Sequence, residues 1–447
     1  MKNINYFFKL NNHLNNVKKW WDNISITSPI IPNYIKEVDK NQKNIFNIKL
    51  LLLIKKVFNI DDINEINKIS IIDYNFDELI NNIYNNTEIL KLFISDTEEI
   101  KNEIVYFMQF KDYFSLIQKK ILEIIKPLIY DEHFNKLFIC DDDLTRLAPI
   151  GALVIFLYLT EKNVEKSIQK FIDTDPLYIQ FFIVSYLILD GFMDDDTKNI
   201  ENKNIFLKWF MKIVNHPYEI IILEEKHKNI WQCITFAKYV TFFIEKYPYV
   251  THKIIYDYVI IMIKILNESN VIQKNKTINE DLILEQTFKK SYIVYFFMIL
   301  ITNINLNCSI NKEIFINLCK LSFLVQLCDD YIDTSKDKLE NNYTYFNSDN
   351  ITLNFEDRLK KLIITSFSFM DNISDKNKYV KNFSYFLIKN FMIIIIYVNN
   401  NKLSDDLLKY IEKYSLFSID ILKLFKESYD YLNHNYFLKF IKDKVFV

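Results

Sequence analysis

The chain has 447 residues, half of them hydrophobic and a quarter charged, a balance that suits a globular protein and excludes a disordered one. A formal net charge of -2, with lysines interspersed among acids, gives no general attraction to nucleic acid or to an anionic membrane surface. The chain holds 2 glycines, Gly151 and Gly191, and 7 prolines, too few for the tight turns of an all-β or doubly wound α/β fold. The same scarcity excludes a glycine-rich phosphate loop and a nucleophile elbow. The 5 cysteines (Cys140, Cys233, Cys308, Cys319, Cys328) form no CxxC pair and sit in apolar surroundings, as free thiols of a reducing compartment do. The 6 histidines show no paired ligand spacing, which argues against zinc. The N-terminus lacks the long apolar stretch of a signal peptide, and the apolar runs 150–159 and 391–398 are too short to span a bilayer. A soluble, cytoplasmic protein with no transmembrane segment and no nucleic-acid partner is therefore expected.

Residues 1–125 read as an N-terminal helical region with no constellation that carries chemistry. Residues 126–447 read as a second, longer helical region. Within it, Asp141-Asp-Asp-Leu-Thr-Arg146-Leu-Ala-Pro149 leads into a helix over 152–159. Asp173-Thr-Asp175-Pro176 is a cap-and-start signal, with the proline in the first turn. It opens a helix whose apolar run, 179–189, ends in Asp190-Gly-Phe-Met-Asp194-Asp195-Asp196. A polar loop is expected over 199–204, then helices over 205–214, 222–246 and 250–268, and another loop over 267–279. A helix over 281–302 carries Lys289-Lys290-Ser291. The helix over 311–334 follows its apolar run with Asp329-Asp330-Tyr-Ile-Asp333-Thr-Ser-Lys-Asp337. The remainder, 352–447, is again helical in pattern, with a break at 399–401. The predicted fold class is all-α.

The two acidic clusters carry the chemistry. On a helix, residues four apart share a face, so Asp190 and Asp194 point one way, and Asp329, Asp333 and Asp337 likewise. Either cluster alone is also compatible with a solvated helix end. Acid at a helix C-terminus is unfavourable against the macrodipole, however, and stacked carboxylates repel unless a cation neutralises them. Two such ends suggest a shared site for hard divalent cations, of the kind that bridges a diphosphate.

The pair of clusters resembles the two aspartate-rich motifs of the class I terpenoid synthase superfamily. Asp329-Asp330-Tyr-Ile-Asp333, preceded by Gln326, is similar to the second motif of trans-isoprenyl diphosphate synthases. Asp190-Gly-Phe-Met-Asp194 resembles their first motif, with Gly191 at its second aspartate. Thr145-Arg146-Leu-Ala-Pro149 resembles a diphosphate-binding basic motif, and Lys290-Ser291 resembles a lysine–threonine pair. The resemblance is strongest over 140–345. It implies a class I terpenoid-synthase-like helical bundle with extra N-terminal and C-terminal helices.

Departures from the pattern matter as well. Where chain-elongating members carry two arginines after the first motif, this chain has Thr197-Lys198-Asn199-Ile200-Glu201. A terpene synthase, which handles a single diphosphate, tolerates that loss. The resemblance therefore implies a magnesium-dependent terpene synthase that ionises an allylic isoprenoid diphosphate. The alternatives are a trans-isoprenyl diphosphate synthase (a prenyltransferase), a squalene- or phytoene-synthase-like enzyme, or a non-catalytic helical subunit of the same fold. On the preferred reading Asp190, Asp194, Asp329 and Asp333 are catalytic. Asp190, Asp194, Asp195, Asp329, Asp333 and Asp337 hold magnesium ions, about three of them, with Mn2+ as a substitute. Arg146, Lys289, Lys290, Ser291 and Gln326 bind the diphosphate end. Tyr186 and Phe182, below Asp190 on its own face, wall the apolar end, though both are equally compatible with ordinary core. A homodimer is left open.

Overall fold

The computed structural model describes residues 10–27, 200–215, 249–306, 312–370 and 403–415, with 393, 396–397, 419, 422–423 and 426. Among the described residues every regular element is a helix, and the class is all-α. The helices are α1 (Leu10–Asp22), α2 (Ile200–Asn215), α3 (Tyr249–Gln273), α4 (Glu280–Leu306), α5 (Lys312–Ile332), α6 (Thr334–Leu339), α7 (Phe355–Met370) and α8 (Asp405–Tyr414). No described helix is long and apolar enough to cross a membrane. The chain divides into two compact units, one of Met1–Lys18 with Phe114–Thr352, the other of Lys19–Tyr113 with Leu353–Val447. The expected boundary at 125/126 lies outside the described residues.

In the first unit α2 packs on α3, α3 on α4, α4 on α5, and α5 on α6. The α3–α4 and α4–α5 pairings are antiparallel, as side-chain contacts show. The Tyr258 hydroxyl donates to the Ile293 carbonyl at 2.9 Å, and Ser269 donates to Gln286 Oε1 at 2.9 Å, so partners advance along α3 as they retreat along α4. Between α4 and α5 the order again runs oppositely, from Thr287 beside Asp330 to Tyr292 and Phe296 beside Phe315.

Helix α4 lies between α3 and α5 and is buried on both sides. Phe288, Tyr292 and Phe296, one turn apart, form a ladder with ring centroids 5.4 and 5.5 Å apart. His13 of α1 closes on this ladder, 4.7 Å from the Phe315 ring. The start of α4 is set by Asn279, whose side chain accepts from the Leu282 N–H at 2.9 Å, and by Glu280 and Asp281 in the first turn.

The expected loop over 199–204 is helical from Ile200, and the one over 267–279 is helical up to Gln273 and a loop over 274–279 as expected. α2 begins at Ile200, so the polar stretch 200–204 is its outer face and first turn, with Glu201 favoured by the helix dipole. Its inner face is Phe206, Trp209 and Phe210. α3 continues through Asn267, Glu268 and Asn270 to Gln273, because Leu266, Ser269 and Gln273 keep a buried stripe at helical spacing. Polar composition alone does not stop a helix whose apolar face persists.

In the second unit α7 buries Leu359, Leu362, Ile363 and Phe367, and α8 buries Leu407, Ile411 and Tyr414. Phe367 meets Tyr414 edge-on at 5.2 Å, and Lys361 Nζ lies 4.7 Å over the Trp21 ring. Ser404 caps α8 by accepting from the Leu407 N–H, while Glu356 accepts from the Ser404 N–H at 2.7 Å.

Candidate functional site

Helix α5 stops at Ile332, yet helical hydrogen bonding runs on through its acidic end. The Asp333 N–H donates to the Asp329 carbonyl at 2.9 Å and the Asp337 N–H to the Asp333 carbonyl at 2.8 Å. Asp333 itself sits at φ -85, ψ 6, between α5 and α6. The one-turn spacing of Asp329, Asp333 and Asp337 is thus kept across the junction.

Their side chains sit in different surroundings. Asp329 is exposed, Asp333 and Asp337 are half-buried, and Asp330 is only 5% exposed. Asp330 Oδ2 accepts from the Thr287 hydroxyl at 2.9 Å, and its Oδ1 accepts from Gln326 Nε2 at 3.2 Å. The same Gln326 nitrogen donates to Asp329 Oδ2 at 3.0 Å. One amide therefore ties the exposed carboxylate to the buried one.

The electrostatics follow from this placement. Burial pushes the Asp330 carboxyl up to about 6, while the Lys290 charge and the bonds from Gln326 and Thr287 hold it down. Burial, then the charges of Asp330 and Asp333, push Asp337 up to about 8, opposed by Lys290 and the Asn342 side chain. Lys290 is thus a cation that α4 brings to the acidic end of α5.

Its neighbours in sequence do different things, because successive helical residues are turned by about 100°. Lys289 pairs with Glu285 on its own helix at 2.6 Å. Ser291 is buried; its hydroxyl donates to the Phe288 carbonyl at 3.0 Å and lies 3.5 Å from Ser322 Oγ in the α4–α5 seam. The structure therefore brings together Lys290, Gln326, Asp329, Asp330, Asp333 and Asp337, and directs Lys289 and Ser291 to other partners. Arg146, Phe182, Tyr186, Asp190, Asp194 and Asp195 lie outside the described residues.

Behind the acidic end, residues 340–352 are fastened across the α3–α4 connection. Lys274 Nζ donates to the Glu340 carbonyl at 2.7 Å, and the Tyr343 N–H to the Gln273 carbonyl at 2.8 Å. The Asn350 side chain donates to the carbonyls of Lys276 and Ile278. The chain turns at Asn341, whose φ of 55 is left-handed, and the Asn342 N–H then bonds back to the Asp337 carbonyl at 2.8 Å. Asparagine tolerates that conformation better than a residue with an apolar Cβ branch. Asn341→Ala is expected to lower stability by about 1 kcal/mol, and Asn341→Gly to leave it nearly unchanged, in denaturant melts.

Two residues of this arrangement were not singled out from the sequence as site residues. Thr287 is one turn before Lys290, and that spacing was its only signal. Asp330 stood inside the motif, but the face chosen by four-residue spacing was that of Asp329; the buried face instead runs through Gln326, Asp330, Asp333 and Asp337.

Chemically the site offers carboxylate and amide oxygen donors and a nearby ammonium, that of Lys290. Cys319 and Cys328 are in no disulfide, and burial pushes both thiols well above their ordinary range. Among the described residues no three acidic, histidine or cysteine side chains by themselves make a ready ligand group for a metal ion. Comparison with protein-family models, with curated proteins and with solved structures found no match to the chain.

Proposed function

We propose that the chain is a magnesium-dependent class I terpenoid synthase, working as a terpene synthase on an allylic isoprenoid diphosphate. The observation that carries this reading is the meeting of Asp330, Asp333 and Asp337 with Lys290 where α5 gives way to α6. The charge of Asp333 raises the proton affinity of Asp330, and those of Asp330 and Asp333 raise that of Asp337, a concentration of negative charge that favours the arrival of further positive charge. Oxygen-only donors suit magnesium, which takes a few carboxylates and completes its shell with water and phosphate oxygens. The residues present thus fit the ion.

On this reading Asp329, Asp333 and Asp337 would hold magnesium together with Asp190, Asp194 and Asp195. When bound, the metal neutralises the diphosphate and makes it a better leaving group. Lys290 donates a charge-assisted hydrogen bond to a diphosphate oxygen, and Lys289 joins it by leaving Glu285, with Arg146 as a third donor. Gln326 fixes the rotamers of Asp329 and Asp330. Tyr186 and Phe182 offer aromatic faces to the cationic hydrocarbon once the leaving group has gone. A chain-elongating prenyltransferase is the second reading, favoured by Gln326 standing three residues before, and bonded to, the paired aspartates.

The test is product analysis with magnesium and geranyl, farnesyl or geranylgeranyl diphosphate, each with and without isopentenyl diphosphate. A hydrocarbon or alcohol formed from a single diphosphate is expected. A longer diphosphate formed only with isopentenyl diphosphate would select the elongating reading. No turnover of any substrate would remove both and favour a non-catalytic helical subunit.

A further inference from the structure

Thr287, like Ser269, whose hydroxyl donates to Gln286 Oε1 on the neighbouring helix, bonds across a helix seam and not within its own turn. A helical serine or threonine commonly returns its hydroxyl to a carbonyl of its own preceding turn. Ser291, Ser322, Thr365 and Ser366 do so here, with donor–acceptor distances of 3.0, 2.9, 2.6 and 2.8 Å. Thr287 instead sends its hydroxyl across the α4–α5 seam to Asp330, a residue 43 positions away. Both are buried, Thr287 completely and Asp330 to within 5%. A bond between buried groups, one of them a carboxylate, is among the strong ones, and neither group has water as a substitute.

We infer that Thr287 is a positioning residue, whose hydroxyl anchors Asp330 to α4 and so sets the acidic end of α5 against Lys290. The inference rests on the function proposed above. Its physical content is a chain of three hydrogen bonds. Thr287 takes Asp330 Oδ2, which leaves Oδ1 to Gln326, whose amide nitrogen also holds the exposed Asp329. A buried side chain on α4 is thereby linked to a carboxylate at the surface. Lys290 stands one turn from Thr287 on the same helix. Without the hydroxyl, Asp330 keeps a buried oxygen in need of a donor, and the nearby Lys290 is the charged group able to answer it. The ammonium would then be drawn from the anion it is proposed to bind, and Gln326 would lose its fixed partner.

The test uses the full-length protein, magnesium chloride and inorganic pyrophosphate, with binding read by titration calorimetry and folding by thermal melts. Wild type is expected to bind pyrophosphate only with magnesium. Thr287→Val, equal in shape but without the hydroxyl, is expected to weaken that binding about tenfold. Thr287→Ser, which keeps the hydroxyl, is expected to restore it to within about twofold of wild type. Should the valine variant fail to fold, Thr287→Ala carries the same expected loss. Wild-type affinity in the valine or alanine variant, even with a lowered melting temperature, overturns the inference, because the hydroxyl would then serve folding alone. A serine variant as weak as the valine one also overturns it. If wild type itself shows no magnesium-dependent binding, the proposed function fails and the positioning role with it, a result told apart by where the failure lies.

Discussion

Asp333→Asn combined with Asp337→Asn is expected to cut turnover of the allylic diphosphate by about a thousandfold. Asparagine keeps the size and one oxygen of each side chain but removes the charge that holds a divalent ion. Both residues sit at the α5–α6 junction, one turn apart, and the backbone bonds from Asp337 to Asp333 and from Asp333 to Asp329 do not involve the altered atoms. Folding should therefore survive, which a melt would confirm. The loss should appear mainly in kcat, since departure of the diphosphate is the step in which charge develops. It should be accompanied by a higher magnesium requirement. Asp405→Asn combined with Asp406→Asn, in the first turn of α8 in the second unit, is the charge-matched control and should retain full activity. Turnover within about twofold of wild type in the double variant would remove the acidic end of α5 from the reaction.

The metal-free protein is expected to lose stability as pH rises from about 4 to about 8 through Asp330 and Asp337. The sign follows from their raised proton affinities, about 6 and about 8 against an ordinary 3.8. Between those limits the folded chain binds more protons than the unfolded one, so each increase in pH favours unfolding. This contribution is fully favourable below the ordinary carboxylate value and is lost by the time the folded groups have ionised. Asp337→Asn should flatten the profile, so that wild type melts about 3 °C lower relative to the variant at pH 8 than at pH 5. Magnesium binds the ionised carboxylates and should act in the opposite sense, raising the wild-type melting temperature more at pH 8 than at pH 5. Equal magnesium shifts at the two pH values, or shifts of the same size in the variant, would show that the ion binds elsewhere or not at all.

Much of the helical framework was legible in the sequence. The apolar stripes of α3, α4 and α5 recur at helical spacing, and Asn279-Glu280-Asp281 marks the start of α4 in the order that a cap and a dipole require. Boundaries were less legible. The asparagine-rich stretches at 200–204 and 267–270 look like loops, yet each occupies the polar face of a helix whose other face stays apolar, so burial prevails over local preference. Within the site, Asp329, Asp333 and Asp337 could be placed one turn apart from number alone, and Lys290 could be assigned to the same chemistry.

By itself the sequence determined the helical character of the described residues, with an acidic end on α5 and a basic pair on α4, because periodicity and composition are local properties. Only the tertiary structure decided which members of those motifs meet. Antiparallel packing of α4 on α5 turned Lys290 toward Asp330 and Asp337, left Lys289 to Glu285, and joined Thr287 to Asp330 across the seam. Such pairings depend on the rotation and register of two helices distant in sequence, and no local pattern encodes them.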